Sequence, residues 1–337
     1  MSKIMYDVIT IGTASLDVFL RVKNFKASQK FLTLPLGEKI EVTDFNISSG
    51  GGATNCAITF KRLGFKTLAV FEVGEDPFSD FITNELKKEK VDLSVSLNKK
   101  LPTAYSTVLV DENGERVILV KRGAAQDLTL AEIPFRKYQA KWLYLAPGNI
   151  SFEAIKKLVF YYKKAGTKIA LNPSKAQITL GLKKLEPILK ICEVVILNKE
   201  EGSYLTGIPL KNSDKIFKTL DNLVEGILIL TDGKNGAEVS DSHHFWKAGI
   251  FKNKKVIDRT GAGDAFGSAF VSGLMIKNEN CLKGKCDISN INYALRLASA
   301  NSTSVVESLG AKIGILTKTQ FEKDKRWDNL KIETKKL

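Results

Sequence analysis

Residues 256–274 read VIDRTGAGDAFGSAFVSGL, a short apolar approach that ends at Asp258, then a turn of small residues, then a helical pattern. The turn is Gly261-Ala262-Gly263, and glycine lets the backbone turn tightly and lets a ligand approach the main-chain N–H groups. A helix start adds unsatisfied N–H donors and a partial positive charge. Together these features predict an anion-binding site, suited to the charge that builds on a phosphoryl group during its transfer.

Asp264 lies at the start of this predicted helix. A carboxylate there is stabilised as the ion, and it can accept the proton of a hydroxyl that becomes more acidic as it attacks. Phosphoryl transfer needs these two parts, an anion cradle and a carboxylate aimed at the nucleophile. Taken alone, the segment is equally consistent with an ordinary helix start in which Asp264 caps the first turn, since glycine-rich helix starts are common.

Two other nucleotide-binding loops have similar glycine patterns, and neither fits this chain. The third glycine of a G-x-G-x-x-G loop would fall at position 266, whereas the chain has Gly267, and too little sequence follows for a dinucleotide-binding half domain and its catalytic residues. No G-x-x-x-x-G-K-[ST] sequence occurs anywhere, which excludes a P-loop kinase.

Short apolar runs alternate with longer amphipathic segments along the rest of the chain. Strands are predicted at 7–11, 67–73, 142–146, 168–172, 194–197 and 226–231, and helices at 53–63, 78–90, 152–164, 199–205, 213–224, 263–275 and 289–306. Such alternation predicts a mostly parallel sheet that is covered by helices on both faces.

Two β-rich stretches, residues 13–48 and 103–122, interrupt this alternation, and the second is predicted to be a hairpin around the turn 111–114. The two stretches can pair into one small sheet beside the main domain. Such a sheet is either a lid over a cleft or an extension of the edge of the domain. We favour the lid, because insertions at the ends of strands are where α/β proteins place ligand contacts.

Composition excludes several classes of function. The chain has 337 residues, 44% of them hydrophobic, which predicts one large core with a small appendage. No stretch approaches the roughly 20 apolar residues of a membrane helix, and the first residues, MSKIMYDVITIG, resemble no signal peptide. We therefore expect a cytoplasmic protein with no membrane partner. The net charge of +14 is spread along predicted helices, which indicates a solvated surface and no nucleic-acid partner.

Cysteine and histidine contribute little to the predicted chemistry. The four cysteines are scattered, and the close pair Cys281 and Cys286 has no nearby histidine with which to complete a zinc site. The only histidines, His243 and His244, are adjacent, so on a strand at most one of them would face a given site.

Four segments together resemble the ribokinase-like (PfkB) carbohydrate kinase family. They are GGGATN at 50–55, NKEE at 198–201, TDGKNG at 231–236 and DRTGAGD at 258–264, in the family's order and spread over nearly the whole chain. The resemblance implies a ribokinase-like three-layer α/β/α fold with a central, mostly parallel sheet and a small β-sheet lid. It implies a single domain over residues 1–337, whose discontinuous lid is formed by about 13–48 and 103–122.

The resemblance also implies roles on the acceptor side of the site. Asp264 would be the general base, and the amides of Gly261, Ala262 and Gly263 would form the anion hole. The residues expected to bind the hydroxyls of a sugar are Asp17, Gly51, Gly52 and Asn55. Arg122, after the second lid strand, is equally consistent with a substrate contact and with a plain strand end.

On the nucleotide side, the resemblance implies ATP and Mg²⁺. The ATP-binding residues would be Asn198, Thr231, Gly233, Gly236 and Asn301. Glu201, in the same N-x-x-E motif as Asn198, would order Mg²⁺ through water. Asp258 and the backbone of Thr260 match a monovalent-cation site that takes K⁺ in some members. Arg259 stands where many members have a small hydroxyl residue, and it is equally consistent with a phosphate contact and with a solvent-exposed side chain.

The expected activity is therefore ATP-dependent phosphorylation of a hydroxyl on a small sugar, by an enzyme that can form a homodimer through its lid. A nucleoside kinase is the alternative within the family. A non-catalytic sugar sensor is a third hypothesis, against which the retained Asp264 argues. The segment Leu145-Ala-Pro-Gly-Asn149 lacks a glutamate that the relatives nearest to ribokinase carry near the sugar, so the acceptor is not assigned to ribose. Neither the hydroxyl that is phosphorylated nor the oligomeric state follows from the sequence.

Overall fold

The strands and helices alternate as the sequence predicts. A computed structural model describes residues 4–22, 26–28, 31–110, 116–126, 128–277 and 286–337. The strands are β1 Ile4–Gly12, β2 Ser15–Val22, β3 Lys26–Ser28, β4 Phe31–Thr33, β5 Val42–Gly50, β6 Thr67–Gly74, β7 Asp92–Asn98, β8 Ala104–Val110, β9 Arg116–Lys121, β10 Tyr138–Ala146, β11 Lys168–Leu171, β12 Val194–Asn198, β13 Ile227–Thr231, β14 Ala237–Ser240, β15 His244–Ala248 and β16 Ile332–Lys336. The α-helices are α1 Gly52–Arg62, α2 Pro77–Lys88, α3 Phe152–Lys164, α4 Lys175–Ile178, α5 Leu182–Leu189, α6 Lys199–Thr206, α7 Ser213–Asp221, α8 Ala262–Ile276, α9 Ile288–Val306 and α10 Lys318–Lys323.

The main sheet has ten strands in the order β16-β15-β14-β13-β12-β11-β10-β1-β6-β7. The seven strands from β13 to β7 in that order are parallel to one another, and β14, β15 and β16 add an antiparallel edge. All eight residues of β6 are buried, as expected for a strand of a parallel sheet that is covered on both faces. The predicted mostly parallel sheet is confirmed.

Apolar side chains cover both faces of this sheet. Consecutive residues of a strand point to opposite faces, and in β10 Leu143 joins one core cluster while Tyr144 joins another. The first cluster includes Ile155 of α3, and the second includes Phe60 of α1 and Phe270 of α8. Helices therefore pack against both faces, and the three-layer α/β/α architecture is confirmed.

The small sheet has four strands in the order β5-β2-β8-β9. It joins the two β-rich stretches that the sequence sets apart, through a parallel pairing of β2 with β8. The pairs β2–β5 and β8–β9 are antiparallel. Its role as a lid stays a prediction, and the expected hairpin turn at 111–114 lies outside the described residues.

The cysteines contribute one covalent link to this fold. Cys286 is disulfide-bonded, whereas Cys56 and Cys192 are free and buried. Cys281, the other member of the close pair, lies outside the described residues. None of the helices in the described ranges is long and apolar enough to cross a membrane.

Candidate active site

The centre of the site is a contact between two helices that are far apart in the chain. Asn55, in the first turn of α1, donates a hydrogen bond from Nδ2 to Oδ2 of Asp264 at 2.9 Å. Asp264 lies in the first turn of α8, and its main-chain carbonyl accepts a bond from Ser268 Oγ at 2.5 Å. The fold thus brings together the predicted base and the asparagine of the first glycine cluster.

The environment of Asp264 suits a proton acceptor. Burial raises the pKa of its carboxyl above the ordinary value, while the hydrogen bond from Asn55 and the positive charge of Lys312 oppose that rise. A carboxylate with a raised pKa binds a proton more strongly. The side chain is only partly buried, so an acceptor hydroxyl can reach it.

The glycine turn before α8 is required by the local backbone. Gly261 has φ of 76°, in the left-handed region, and a Cβ atom there would lie 2.4 Å from the Cβ of Ala311. Gly263 faces open space, since a Cβ there would have no neighbour within 4 Å. The N-terminal turn of α8 therefore packs against Ala311 at Gly261 and is open at Gly263, which is the arrangement expected of an anion hole. That role of the Gly261, Ala262 and Gly263 amides stays a prediction.

The predicted acceptor side is built around Asp17 on β2. Asp17 is 7% exposed, and its Oδ1 accepts hydrogen bonds from Ser106 Oγ and from Ser15 Oγ, the latter at 3.2 Å. Burial raises the pKa of Asp17, and these bonds, together with the charge of Lys312, oppose the rise. A Cβ atom at Gly50 would lie 1.9 Å from Asp17 Oδ2, so the glycine cluster leaves room for this carboxylate.

Gly51 and Gly52 allow two further close approaches of the backbone. Gly51 has φ of 96°, and a Cβ atom there would lie 2.4 Å from the carbonyl oxygen of Thr13. A Cβ atom at Gly52 would lie 2.5 Å from the Cβ of Ala146. The two glycines therefore set the start of α1, and with it the position of Asn55.

A small cavity opens beside these residues, between the small sheet and the main domain. Its volume is about 130 Å³, and its lining includes Ser15, Val120, Arg122, Gln126 and Asn149. Arg122 is exposed and belongs to this lining. This position supports the first of its two expected roles, a substrate contact.

Three of the five predicted ATP-binding residues, Thr231, Gly233 and Gly236, line a second region at the start of α8, whereas Asn198 and Asn301 do not. A cavity of about 480 Å³ has apolar walls from Ile250, Val256 and Val306 and carries Arg259 at its surface. A neighbouring cavity of about 110 Å³ is lined by residues of both predicted motifs, namely Thr231, Gly233, Gly236, Ala262 and Gly263. The two cavities share Gly233 and Ala262. The TDGKNG turn and the GAGD helix start therefore face one continuous space.

Asn301 does not line this space. It is completely buried, its Nδ2 donates to the carbonyl of Ala265 at 2.9 Å, and its Oδ1 accepts from the Leu316 amide at 2.9 Å. The residues of α9 that line the cavities are its neighbours Ser302 and Thr303. The expected contact of Asn301 with ATP is therefore wrong, because its side chain is turned into the core and bonds to the frame of the pocket.

Comparison with known proteins agrees with this arrangement. Residues 5–318 match the family described as pfkB family carbohydrate kinase. The chain belongs to the pfkB family.

Relatives of this pfkB family member cover most of its length. The bifunctional ribokinase/ribose-5-phosphate isomerase A of Fructilactobacillus sanfranciscensis is 27% identical over an alignment of 346 positions, which covers 95% of this chain but 59% of that longer protein. The ribokinase of Staphylococcus aureus is 25% identical over 291 residues, which covers 84% of this chain and 90% of that enzyme. The crystal structure of Methanocaldococcus jannaschii nucleoside kinase, an archaeal member of the ribokinase family, has a TM-score of 0.73 at 20% identity, over 96% of this chain and 98% of that one. At that identity the likeness supports the fold alone, and it confirms the ribokinase-like fold.

The N-x-x-E motif of this pfkB family member forms the start of α6. Asn198 Oδ1 accepts from the Glu201 amide at 2.7 Å, and Glu201 Oε2 accepts from the Asn198 amide at 2.8 Å. Burial raises the pKa of Glu201, and the negative charges of Glu200 and Asp264 add to the rise. Glu201 is partly exposed, and its side-chain hydrogen bond uses Oε2.

Mg²⁺ fits this arrangement through water and phosphate oxygens. The described ranges contain no group of three or more His, Cys, Asp or Glu side chains arranged to hold a metal, and Mg²⁺ in phosphotransferases usually keeps several waters. Asn198 and Thr231 are cross-strand neighbours in the pairing of β12 with β13. The motif therefore lies beside the nucleotide space.

Lys312 is a residue of the site that sequence reasoning missed. It is 2% exposed, and its Nζ donates to Ser49 Oγ and lies 3.9 Å from Glu85 Oε2. Burial lowers its pKa from 10.5 to about 8, against the effect of Glu85, Asp17 and Asp264. A buried ammonium therefore acts on both predicted substrate-side carboxylates. No local motif marks Lys312, because its partners come from distant segments.

Proposed function

We propose that this chain transfers the γ-phosphoryl group of ATP to a hydroxyl of a small sugar, with Asp264 as the general base. The observation that carries the proposal is the hydrogen bond from Asn55 to Asp264 at the start of α8, where Ala262 and Gly263 line the nucleotide-side cavity. The acceptor-side cavity is lined by Ser15, which donates to the predicted sugar-binding residue Asp17. Membership of the pfkB family and the ribokinase relatives support the same activity.

The proposed reaction uses the residues in the following order. Asp17 accepts a hydrogen bond from the sugar and orients it, so that one hydroxyl faces Asp264. Asp264 takes the proton of that hydroxyl while the hydroxyl oxygen bonds to the γ-phosphorus. The bond between the γ-phosphorus and the bridging oxygen then breaks, and ADP leaves. The N–H groups at the start of α8 stabilise the negative charge on the transferring phosphoryl oxygens.

Two groups on the nucleotide side complete the proposal. Arg259 reaches the phosphates from the surface of the larger cavity, which it lines without a protein partner in the described ranges. Mg²⁺, when bound, neutralises charge on the phosphates. Glu201 and Asn198 would hold the waters around Mg²⁺, since the capping box fixes the positions of their side chains.

The acceptor cavity favours a sugar over a nucleoside. Its volume is about 130 Å³, and none of its lining residues is aromatic. An aromatic ring on which a nucleoside base could stack is therefore absent from the described lining of this cavity. The retained base and the open start of α8 favour an enzyme over a non-catalytic sugar sensor.

The small sheet also offers a surface for a second copy of the chain. The apolar residues Val117, Ile118, Leu119 and Val120 of its edge strand β9 are between 39% and 57% exposed. We propose a homodimer through this edge, since exposed apolar strands are where chains associate. Light scattering coupled to size exclusion tests it: a mass of one chain at micromolar concentration would rule the dimer out.

The experiment that tests the proposed function is ADP release from Mg-ATP over a panel of acceptors. The panel contains ribose, fructose, 2-keto-3-deoxygluconate, adenosine, inosine and cytidine. Turnover on a sugar is expected. Turnover on a nucleoside alone would reject the sugar and retain the role of Asp264. No turnover on any member, by folded protein that binds ATP, would contradict the proposed enzyme for these acceptors.

A further inference from the structure

An ion pair joins the small sheet to the loop that leads into α8. Arg116 is the first residue of β9, and its Nη1 lies 3.4 Å from Oδ1 of Asp258. The Arg116 side chain is 31% exposed, and that of Asp258 is 3% exposed. The guanidinium therefore reaches from the surface of the small sheet to a carboxylate buried behind the predicted anion hole.

The Asp258 carboxylate accepts four hydrogen bonds from the protein. Thr260 donates to Oδ1 from its amide at 2.9 Å and from its Oγ1 at 2.7 Å. The Gly310 amide donates to Oδ2 at 3.0 Å, and Arg116 supplies the fourth donor. An ionised carboxylate has about four acceptor sites. Three of these donors meet Oδ1 and one meets Oδ2, so Oδ1 is fully used and Oδ2 keeps one acceptor position.

A monovalent cation does not fit these residues. Only Oδ2 of the carboxylate keeps an acceptor position, and a cation there would lie beside the fixed positive charge of Arg116, which repels it. The carbonyl of Val306, which meets the same segment, also has its donors, since it accepts from the amides of Ile257 at 2.8 Å and Asp258 at 3.3 Å. The match of Asp258 and Thr260 to a K⁺ site is therefore not supported by the contacts around them.

We propose that the Arg116 guanidinium supplies the positive charge behind the anion hole, so that phosphoryl transfer by this chain does not depend on K⁺. The inference rests on the proposed kinase function. The turn before α8 contains Asp258, Thr260 and Gly261, and Gly261 packs against Ala311. Neutralising Asp258 keeps this turn in place, because a buried carboxylate without a compensating charge would draw in water or move.

The same pair links the small sheet to the start of α8. Arg116 begins β9, and Val120 of the same strand lines the acceptor cavity together with Arg122, which follows the strand. The charge behind the anion hole is therefore in place when the small sheet lies against the main domain. A diffusible cation would give no such link.

The test compares turnover in KCl, NaCl and tetramethylammonium chloride at one ionic strength. The wild-type rate is expected to be the same in the three salts within about twofold. Arg116→Ala is expected to lose at least about tenfold in tetramethylammonium chloride, as for a lost hydrogen bond to a charged group, and to regain activity with K⁺ or guanidinium. Arg21→Ala, which removes a charge from β2 of the same sheet, is the control and is expected to match the wild type.

Thermal melting in the same salts gives a second measurement, without substrate or turnover. K⁺ is expected to raise the melting temperature of Arg116→Ala above its value in tetramethylammonium chloride, and to leave the wild type unchanged. Strong K⁺ activation or K⁺ stabilisation of the wild type would overturn the proposal. So would an Arg116→Ala variant with wild-type turnover in all salts. Absence of wild-type turnover on every acceptor would refute the proposed function instead, and melting would still decide the role of Arg116.

Discussion

Replacing Lys312 by Met tests whether a buried charge has been kept for function at the expense of stability. The pKa of Lys312 is lowered by burial from 10.5 to about 8. At about 1.4 kcal/mol for each pKa unit, the protonated lysine destabilises the folded chain by roughly 3 kcal/mol. Met has a similar shape and no charge.

Lys312→Met is therefore expected to be more stable than the wild type at pH 7. Removal of the charge raises the free energy of unfolding by roughly 3 kcal/mol, and the loss of the hydrogen bond to Ser49 lowers it by about 1 kcal/mol. Glu85 keeps its contact with the Ser49 amide and is 30% exposed, so it remains solvated without the lysine. The net gain in the free energy of unfolding is about 2 kcal/mol, measured by urea denaturation.

The expected gain in the free energy of unfolding of Lys312→Met depends on pH. Below about pH 8, Lys312 is protonated in both the folded and the unfolded chain, and the folded state bears the full cost. Above about pH 10.5 it is neutral in both states. The advantage of Lys312→Met is therefore present at neutral pH and disappears as the pH rises from about 8 to 10.5.

Activity is expected to change in the opposite direction to stability. The charge of Lys312 opposes the rise in the pKa values of Asp264 and Asp17, so its loss raises both further. The acid limb of kcat/KM against pH then moves to higher pH, because more of the base is protonated at a given pH. Lys88→Met, the same change at an exposed site, is the control. A less stable Lys312→Met with an unchanged pH profile would refute this reasoning.

Two shorter predictions concern the turn before α8 and the phosphates. Gly261→Ala combines a positive φ with a clash against Ala311, and should lose about 1–3 kcal/mol of unfolding free energy together with most turnover. Gly37→Ala, at a similar φ of 77° in open space, should fold with a smaller loss and keep its activity, and equal effects at the two sites would reject the role of packing. Arg259→Ala should raise the KM for ATP about tenfold, for one lost charge-assisted bond, without changing the KM for the acceptor. An unchanged KM for ATP would reject the phosphate contact and support the alternative that Arg259 is a solvent-exposed side chain.

Features carried by local sequence were predicted well. The helix expected at 263–275 is α8, Ala262–Ile276, and the one expected at 289–306 is α9, Ile288–Val306. The glycine turn fixes the start of α8 because only glycine suits the φ of Gly261 and its contact with Ala311. The family resemblance placed Asn55 and Asp264 in one site, but the hydrogen bond between these residues, 209 positions apart, was not predicted.

Features that depend on distant partners could not be predicted. The antiparallel edge β14–β16 needs the C-terminal strand, which pairs with β15 far back in the chain. The short helices α4 and α10 have too few residues for a periodic pattern, and Pro187 lies inside α5.

The site has the same limitation. Arg116 and Lys312 have no local signature, and their charges matter only because tertiary contacts place them beside Asp258 and Asp264. Asn301 illustrates the converse. The family pattern finds its position, but packing turns its amide into the core and leaves the pocket to Ser302 and Thr303.

The most direct test of the central claim is the turnover of Asp264→Asn beside the wild type, on whichever sugar the wild type phosphorylates. The substitution keeps the shape of the side chain and removes its capacity to accept the proton. The rate is expected to fall by about two to four orders of magnitude, with ATP binding and the melting temperature close to those of the wild type. Turnover within about tenfold of the wild type, by a folded variant, would contradict the assignment of Asp264 as the base.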